Sequence, residues 1–417
     1  MVTYPMDWAT YSFDQMFQII SNNILSRDKL TEHGRIGNIH YGDVLTKYGA
    51  VLSEHDSIPR IKAEFESYAG VQLAKDDVIV ADTAEDETVG KVVQIGNVSC
   101  PLVGGLHTIV CHPLVQTASG YLGYYMNSKE YHDQLLPYIT GIKVSSVSKT
   151  SIRKTQLHIP ESTDEQAAIV SAILDFDSLI DNLNELIEKK KAIRDGALND
   201  LMSGNTRLSG FKDKWVTIPF SRFFTVQKNN TYARDKLTNH GTVGNIHYGD
   251  VLVKYGDIVG EKDGIPYLKD GVSYSASWLL QENDIVIADT AEDETVGKSI
   301  QIGKISYPVV AGLHTIVCRP NMETAPGFLG YYMNSKVYHD QLLPHITGIK
   351  VSSVSKKSIK MTELHVPADI MEQKAIADAL TAMDEEIKAL EAEREKMIQI
   401  CEGVMDDLLT GRVRLSV

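Results

Sequence analysis

Cysteine is scarce in this chain: four in 417 residues, Cys100, Cys111, Cys318 and Cys401, with no C-x-x-C pair among them. That spacing excludes a disulfide framework and a cysteine-rich zinc site. No stretch approaches the roughly 18 apolar residues that a membrane span needs, and the opening MVTYPMDWAT lacks the basic-then-apolar order of a secretory signal. The sequence therefore reads as that of a cytoplasmic protein without membrane contact. Nucleotide motifs are missing as well. There is no G-x-G-x-x-G, and ETVGKS around Lys298 matches only the end of a phosphate-binding loop, with Glu292 where its first glycine should stand and Val92 at the matching position of Ser299. A carboxylate in a phosphate cradle repels its ligand. The Asn-Pro-Pro-aromatic segment of amino-methyltransferases is absent too, so the chain neither binds nucleotide nor transfers methyl groups by itself. Basic charge is also in short supply: Lys plus Arg total 41 against 55 Asp plus Glu, a net charge of −14. A protein that coats nucleic acid by bulk charge is excluded, and any such contact must be local.

What is present is a duplication. DKLTEHGRIGNIHYGDVLTKYG from Asp28 returns as DKLTNHGTVGNIHYGDVLVKYG from Asp235, 207 residues later. DVIVADTAEDETVGK from Asp77 returns from Asp284, and GLHTIVC from Gly105 returns from Gly312, at the same shift. The 33-residue stretch from Gly120 reappears from Gly327 with four differences, and Trp8 corresponds to Trp215. A period this long is not a solenoid, whose units run about 20 to 50 residues. It is two whole modules in tandem, each a mixed part followed by a helical part, at boundaries 1–160, 161–210, 211–367 and 368–417. Short apolar runs such as DVIVAD, KVVQIG and HTIVC predict strands, and a helix is predicted over Gly120–Tyr138 and Gly327–His345. The fold class is α+β.

In the helical parts Ile169, Ile173, Phe176, Ile180, Leu183 and Ile187 alternate steps of four and three, as do Ile376, Leu380, Met383, Ile387 and Leu390. Each set forms one apolar stripe, as a coiled-coil seam requires. Ser162-x-x-Glu165 and Asp369-x-x-Glu372 resemble capping boxes, and Gly204 and Gly411 follow the last periodic residues. A lone striped rod needs a partner, and the other copy's rod is the nearest. Lys190, Arg194 and Arg394 interrupt the seam.

Three clusters are candidates for chemistry. Asp82, Glu85, Asp86 and Glu87, with Asp289, Glu292, Asp293 and Glu294, could join His40, Asp43 and His107 in a divalent-metal site. A solvated hairpin turn explains them better, since no H-E-x-x-H or H-x-H spacing is present. The stretch Gly141–Lys154 carries Lys143, Lys149, Arg153 and Lys154 beside Ser145, Ser146 and Ser148, without an acidic residue. Its copy carries Lys350, Ser352, Ser353, Ser355, Lys356, Lys357 and Lys360. These cations and hydroxyls suit phosphate oxygens, although a solvated basic loop would look the same. GNIHYGD offers Asn38, His40 and Tyr41, repeated as Asn245, His247 and Tyr248, which combine base-edge hydrogen-bonding groups with an aromatic face. A buried polar turn would explain them almost as well.

The helical parts carry a resemblance. HIPESTDEQAAIVSAILDFDSLI followed by LNDLMSGNTRL, and HVPADIMEQKAIADALTAMDEEI followed by MDDLLTGRVRL, resemble the two conserved regions of specificity subunits of type I restriction-modification enzymes. The shared pattern is a Pro-x4-Glu-Gln-x2-Ile-x3-Leu opening and a Leu-Met/Leu-x-Gly-x2-Arg-Leu ending, and the resemblance covers essentially the whole chain. It implies two target-recognition domains held apart by two long helices that pair as an antiparallel coiled coil, with a pseudo-twofold relation between the repeats. It implies a non-catalytic subunit without a cofactor of its own, whose partners are double-stranded DNA and two methyltransferase subunits that carry S-adenosylmethionine; restriction or motor subunits can join. The nearest alternative is the recognition component of a related type II system, and the alternative from another class is a duplicated metal-dependent hydrolase.

Recognition domains in one such subunit generally differ, whereas these are near copies. Equal domains related by a pseudo-twofold axis meet the two DNA strands in inverted orientation, so the expected target is a split, nearly palindromic site. The acidity is unevenly placed: residues 161–210 and 368–417 carry about −5 and −6, while residues 1–160 and 211–367 carry about −4 and +1.

Overall fold

Val78–Ala81 shows why an unbroken apolar run forms a strand here. Successive side chains alternate between faces, and both faces are covered: Val78 and Val80 enter one apolar cluster, Ile79 and Ala81 another. The computed structural model describes residues 4–141, 143–293, 295–348 and 350–415. The chain divides into two compact units, Met1–Asn184 with Glu393–Val417, and Glu185–Ala392.

In the first unit, Val78–Ala81 is the middle strand of a five-stranded sheet in the order Phe17–Ile20, Thr108–Pro113, Val78–Ala81, Val92–Ile95, Val51–Leu52. Only its last pair is parallel. A four-stranded sheet holds Leu102–Gly104, Gly37–Ile39, Arg60–Ile61 and Leu30–Thr31 in that order. Ile39, Val44, Tyr48, Leu52, Val93 and Val110 fill the space on one side of the larger sheet. On the other side Phe13, Met16, Tyr121, Tyr125, Tyr131 and Ile152 form the larger core. Trp8–Ser12 pairs with Gln156–Pro160 and closes the recognition part. The second unit repeats both sheets in the same strand order.

The helix expected over Gly120–Tyr138 is broken. It runs as Tyr121–Asn127 and Lys129–Asp133, with a 3-10 turn at Leu136–Tyr138. Ser128 is extended and caps the second piece by accepting the Tyr131 N–H at 3.3 Å. Helical periodicity survives such a kink, so the sequence pattern alone does not reveal it. In the second unit Phe328–Asn334 is likewise followed by a separate helix, Lys336–Leu342.

The long helices are Thr163–Ser203 and Ile370–Leu409, 41 and 40 residues, or about 60 Å each at 1.5 Å per residue. Gly204 and Gly411 end them at φ +72° and +71°, a left-handed turn that favours glycine. Residues 163–184 of the first helix run antiparallel to residues 393–409 of the second within the first unit: Asn184 meets Arg394, and Glu165 meets Arg414 just beyond the helix end. Within the second unit Arg194 meets Asp384 and Arg207 meets Glu372, again head against tail.

The stripes are buried as their spacing requires. Ile169, Ile173, Leu183, Ile187, Ile376, Leu380 and Ile387 are buried, and Phe176, Ile180, Met383 and Leu390 are half-buried. The rods are not lone within their modules, however. Ile169, Val170 and Ile173 join Tyr121 and Leu122 of their own recognition part as well as Leu408 and Leu409 of the other rod. The expected capping boxes form only in part. Ser162 accepts the Glu165 N–H at 3.3 Å, but the Glu165 carboxylate turns away to Arg414. Glu372 likewise goes to Arg207. The opening Glu of each repeat and the closing Arg of the other therefore form a clasp in which the carboxylate is buried and the guanidinium lies at the surface. Among the described residues no three His, Cys, Asp or Glu side chains converge on a metal-sized site; Glu294 lies outside those residues. No described helix is long and apolar enough to cross a membrane.

Candidate nucleic-acid interface

In the first unit the strand Gly37–Ile39 ends at His40, which starts the short helix Tyr41–Thr46. His40 Nδ1 accepts the Gly42 N–H at 3.3 Å, which leaves the ring proton on Nε2. Burial lowers the pKa of this imidazole, and the nearby Arg27 guanidinium lowers it further, so the ring stays neutral. Tyr41 packs against His40 at 4.7 Å between centroids and meets the His107 ring edge-on at 5.2 Å. His107 sits at φ +55°, sparsely populated for a non-glycine residue. This backbone holds an exposed imidazole 3.3 Å from both Asp82 Oδ1 and Thr83 Oγ1.

The basic loop is stitched to the same place. Ser145–Ser146 pairs with Thr83–Ala84, and the Val147 N–H donates to the Asp82 carbonyl. Ser148 caps Lys149–Ile152 by accepting the Ser151 N–H at 3.0 Å. Asp82, Thr83, His107, Tyr138, Ser146 and Ser148 thus line one cleft of about 330 Å³. Lys143 and Lys149 are exposed on this loop. Arg153 forms an exposed ion pair with Asp14, a contact that water or phosphate can replace at little cost.

The second unit repeats this geometry. His247 Nδ1 accepts the Gly249 N–H at 3.2 Å, Tyr248 meets His314 edge-on at 5.3 Å, and His314 sits at φ +54°. Ser352–Ser353 pairs with Thr290–Ala291, and Ser355 caps the helix that carries Lys356 and Lys357. Lys350 is exposed.

Asn38 and Asn245 are corrections to the expected contact set. Both are 0% exposed, and their Oδ1 atoms accept from Asn23 and Asn230 at 2.7 and 2.9 Å. They brace the interior behind Gly105 and Gly312, where a Cβ would stand 2.4 and 2.7 Å from the amide nitrogen. A base edge cannot reach them. Two arginines belong beside the histidines instead. Arg27 is held by the buried Asp43 through contacts of 2.9 to 3.1 Å, with about half its side chain exposed. Arg234 stands on Asp250 in the same way, at 3.0 Å. The signal was available, because the repeated stretch extends one residue further, to RDKLT in both copies. A guanidinium fixed by a buried carboxylate is prearranged to donate to a base edge or a phosphate.

The described site has donors, acceptors, an aromatic face and fixed cations, a set suited to reading a polar polymer. The model of the family described as type I restriction modification DNA specificity domain matches residues 5–191 and again 212–399. A Methanocaldococcus jannaschii protein described as the MjaX type I restriction enzyme specificity subunit is 22% identical over 441 residues, covering 99% of this chain and 95% of that one. The MjaVIII specificity subunit of the same organism is 22% identical over 315 residues, covering 71% and 70%. Among solved structures, the S subunit of a type I restriction-modification system from M. genitalium aligns over 98% of this chain and 97% of its own at a TM-score of 0.51 and 13% identity. A chain from a study of complex assembly and conformational transition in a type I restriction-modification system aligns over 99% and 100%, at 0.62 and 12%. With two matches that together span most of its length, the chain belongs to the type I restriction-modification DNA specificity family and is built as a specificity subunit, two specificity domains on one polypeptide.

Proposed function

We propose that each recognition part, residues 1–160 and 211–367, reads one half of a split DNA site through the strip described above, and that the two half-sites are nearly the same sequence in inverted orientation. The observation that supports this is the identity of the strip in both copies. Arg27, His40, Tyr41, Asp82, Thr83, His107, Lys143, Ser145, Ser146, Ser148 and Lys149 all recur 207 residues later. Around them Tyr138 becomes His345, Thr150 becomes Lys357, Arg153 becomes Lys360 and Lys154 becomes Met361, while Glu32 and Arg35 become Asn239 and Thr242. The same side chains at the same geometry read the same donor and acceptor pattern. The paired rods serve as the platform for two methyltransferase subunits, which supply S-adenosylmethionine and the chemistry, while this chain supplies the address.

The test is a matched pair of substitutions in the assembled complex, Tyr41→Ala and Tyr248→Ala. Each removes a half-buried aromatic from the margin of a core cluster, and loss of one base contact is worth roughly ten- to a hundredfold in binding. Footprinting should show Tyr41→Ala weakening protection of one half-site and Tyr248→Ala the other, by similar factors, with equal small drops in melting temperature and the opposite half-site still protected as in wild type. Full protection by both variants would refute the assignment of the strip.

A further inference from the structure

The two units differ where the recognition part meets the rods. In the second unit Arg194 donates from Nε to Asp384 at 2.9 Å, pairs with Asp257 and lies 5.6 Å over the Tyr331 ring. Tyr331 in turn donates to Asp384 at 2.7 Å. Arg194 lines two separate hollows here, of about 800 and 440 Å³. In the first unit the tyrosine and its carboxylate are kept: Tyr124 donates to Asp177 at 2.8 Å. The cation is gone. Cys401 stands where Arg194 would, and Ala50 where Asp257 would. The two hollows are merged into one groove of about 1170 Å³, lined on the rod side by Asp177, Asp181, Glu402 and Asp406 and on the other by Lys47, Lys91, Lys129 and His132. Lys388 and Asn199 occupy the positions that Asp181 and Asp406 hold in the first unit, so the open groove also has the more acidic rod wall.

We infer that this groove is an acceptor slot for an arginine side chain of a protein partner, and that the second unit fills its own slot with Arg194. The second unit provides the template: a guanidinium stacked on the tyrosine and hydrogen-bonded to the carboxylate that the tyrosine also holds. Charge selects the occupant: the rod wall beside Tyr124 carries four carboxylates, which attract a guanidinium, while the lysines across the groove are already engaged, Lys47 with the Ser57 carbonyl, Lys91 with the Leu45 carbonyl and Lys129 with Asp133. The partially buried Asp177 has a neutral partner in Tyr124 and no cation beside it, which is the condition a partner's arginine would relieve. The two units then offer unequal docking surfaces despite the near-identity of their proposed DNA-reading strips. This inference rests on the proposed platform role, with the methyltransferase subunit as the partner.

The experiment compares three full-length chains with the cognate methyltransferase subunit by native mass spectrometry across a concentration series. The Ala50→Asp/Cys401→Arg graft rebuilds the filled slot in the first unit. It is expected to bring the tighter-bound of the two partner copies down to within twofold of the affinity of the other, where the wild-type chain shows two affinities that differ at least tenfold. Asp177→Asn keeps the acceptor for Tyr124 and removes the charge; it is expected to weaken one partner copy at least tenfold while raising the thermal stability of the free chain. Those opposite signs separate docking from folding, because a merely structural carboxylate would move both the same way. If both variants hold two copies with wild-type affinities, the slot is refuted and the platform role stands. If the wild-type chain binds no methyltransferase subunit, the platform role falls and the slot with it.

Discussion

Arg194→Ala tests the charge logic of the second unit with a magnitude that the structure sets. The side chain is 16% exposed and Asp257 11%, so removing the arginine strands a buried carboxylate. Breaking such a pair costs about 3 to 5 kcal/mol. Asp257 keeps its 2.6 Å hydrogen bond from Asn334 and Asp384 keeps Tyr331, which places the expected loss at the lower end, about 3 kcal/mol. Urea unfolding in a Trp8→Phe background reports the second unit, since the remaining tryptophans, Trp215 and Trp278, both lie there. The loss should also depend on pH. Burial already raises the Asp257 carboxyl above its ordinary value despite the opposing pull of Arg194. A carboxyl raised in the folded state costs stability once it ionises, so the defect should be full at neutral pH and shrink as pH falls towards the ordinary value of 3.8. Adding Asp257→Ala should recover most of the loss, since the first unit folds with Cys401 and Ala50 in the corresponding places. A loss below about 1 kcal/mol, or no recovery in the double variant, would refute the reasoning.

Two further outcomes follow from charge. Because the lysines of the proposed strip sit on two short loops in a chain of net charge −14, the isolated chain should bind its DNA weakly and with steep salt dependence. Lys143→Gln and Lys350→Gln should each lower the slope of log affinity against log salt by about one; tight, salt-insensitive binding by the chain alone would contradict this. The stabilisation by Asp177→Asn should be confined to one side of the pH scale. Burial first, then Asp181, raises the Asp177 carboxyl, so its ionised form is a cost present above the folded pKa and absent below 3.8. Urea midpoints of variant and wild type should separate at pH 7 and converge towards pH 4, and equal midpoints at pH 7 would count against it.

The repeat, the rods and their ends were readable because each rests on a local rule: constant register, a period near 3.5, glycine at a left-handed stop. The pairing of Glu165 with Arg414 was not. Those residues are 249 positions apart, and both motif ends had to be seen as partners rather than as caps. Composition drew attention to Asn38 and to the basic loop alike, yet one is sealed behind Gly105 and the other is exposed. Residue type does not separate a buried amide from a reading one; only the sheet that covers it does. His107 entered the sequence reading only through a metal-site alternative that a solvated turn explained better, and its edge-on contact with Tyr41 became visible only when Thr108–Pro113 was placed beside Val78–Ala81. Arg27 escaped because its value lies in Asp43, 16 residues on, which fixes it.

The central claim is that two near-identical readers address two near-identical half-sites. Sequencing of modified bases in DNA from a host with and without this gene tests it most directly. The account predicts a methylated motif that disappears on deletion and consists of two related half-sites in inverted orientation around a spacer of unspecified bases. Unrelated halves, or a methylation pattern that is unchanged on deletion, would contradict it.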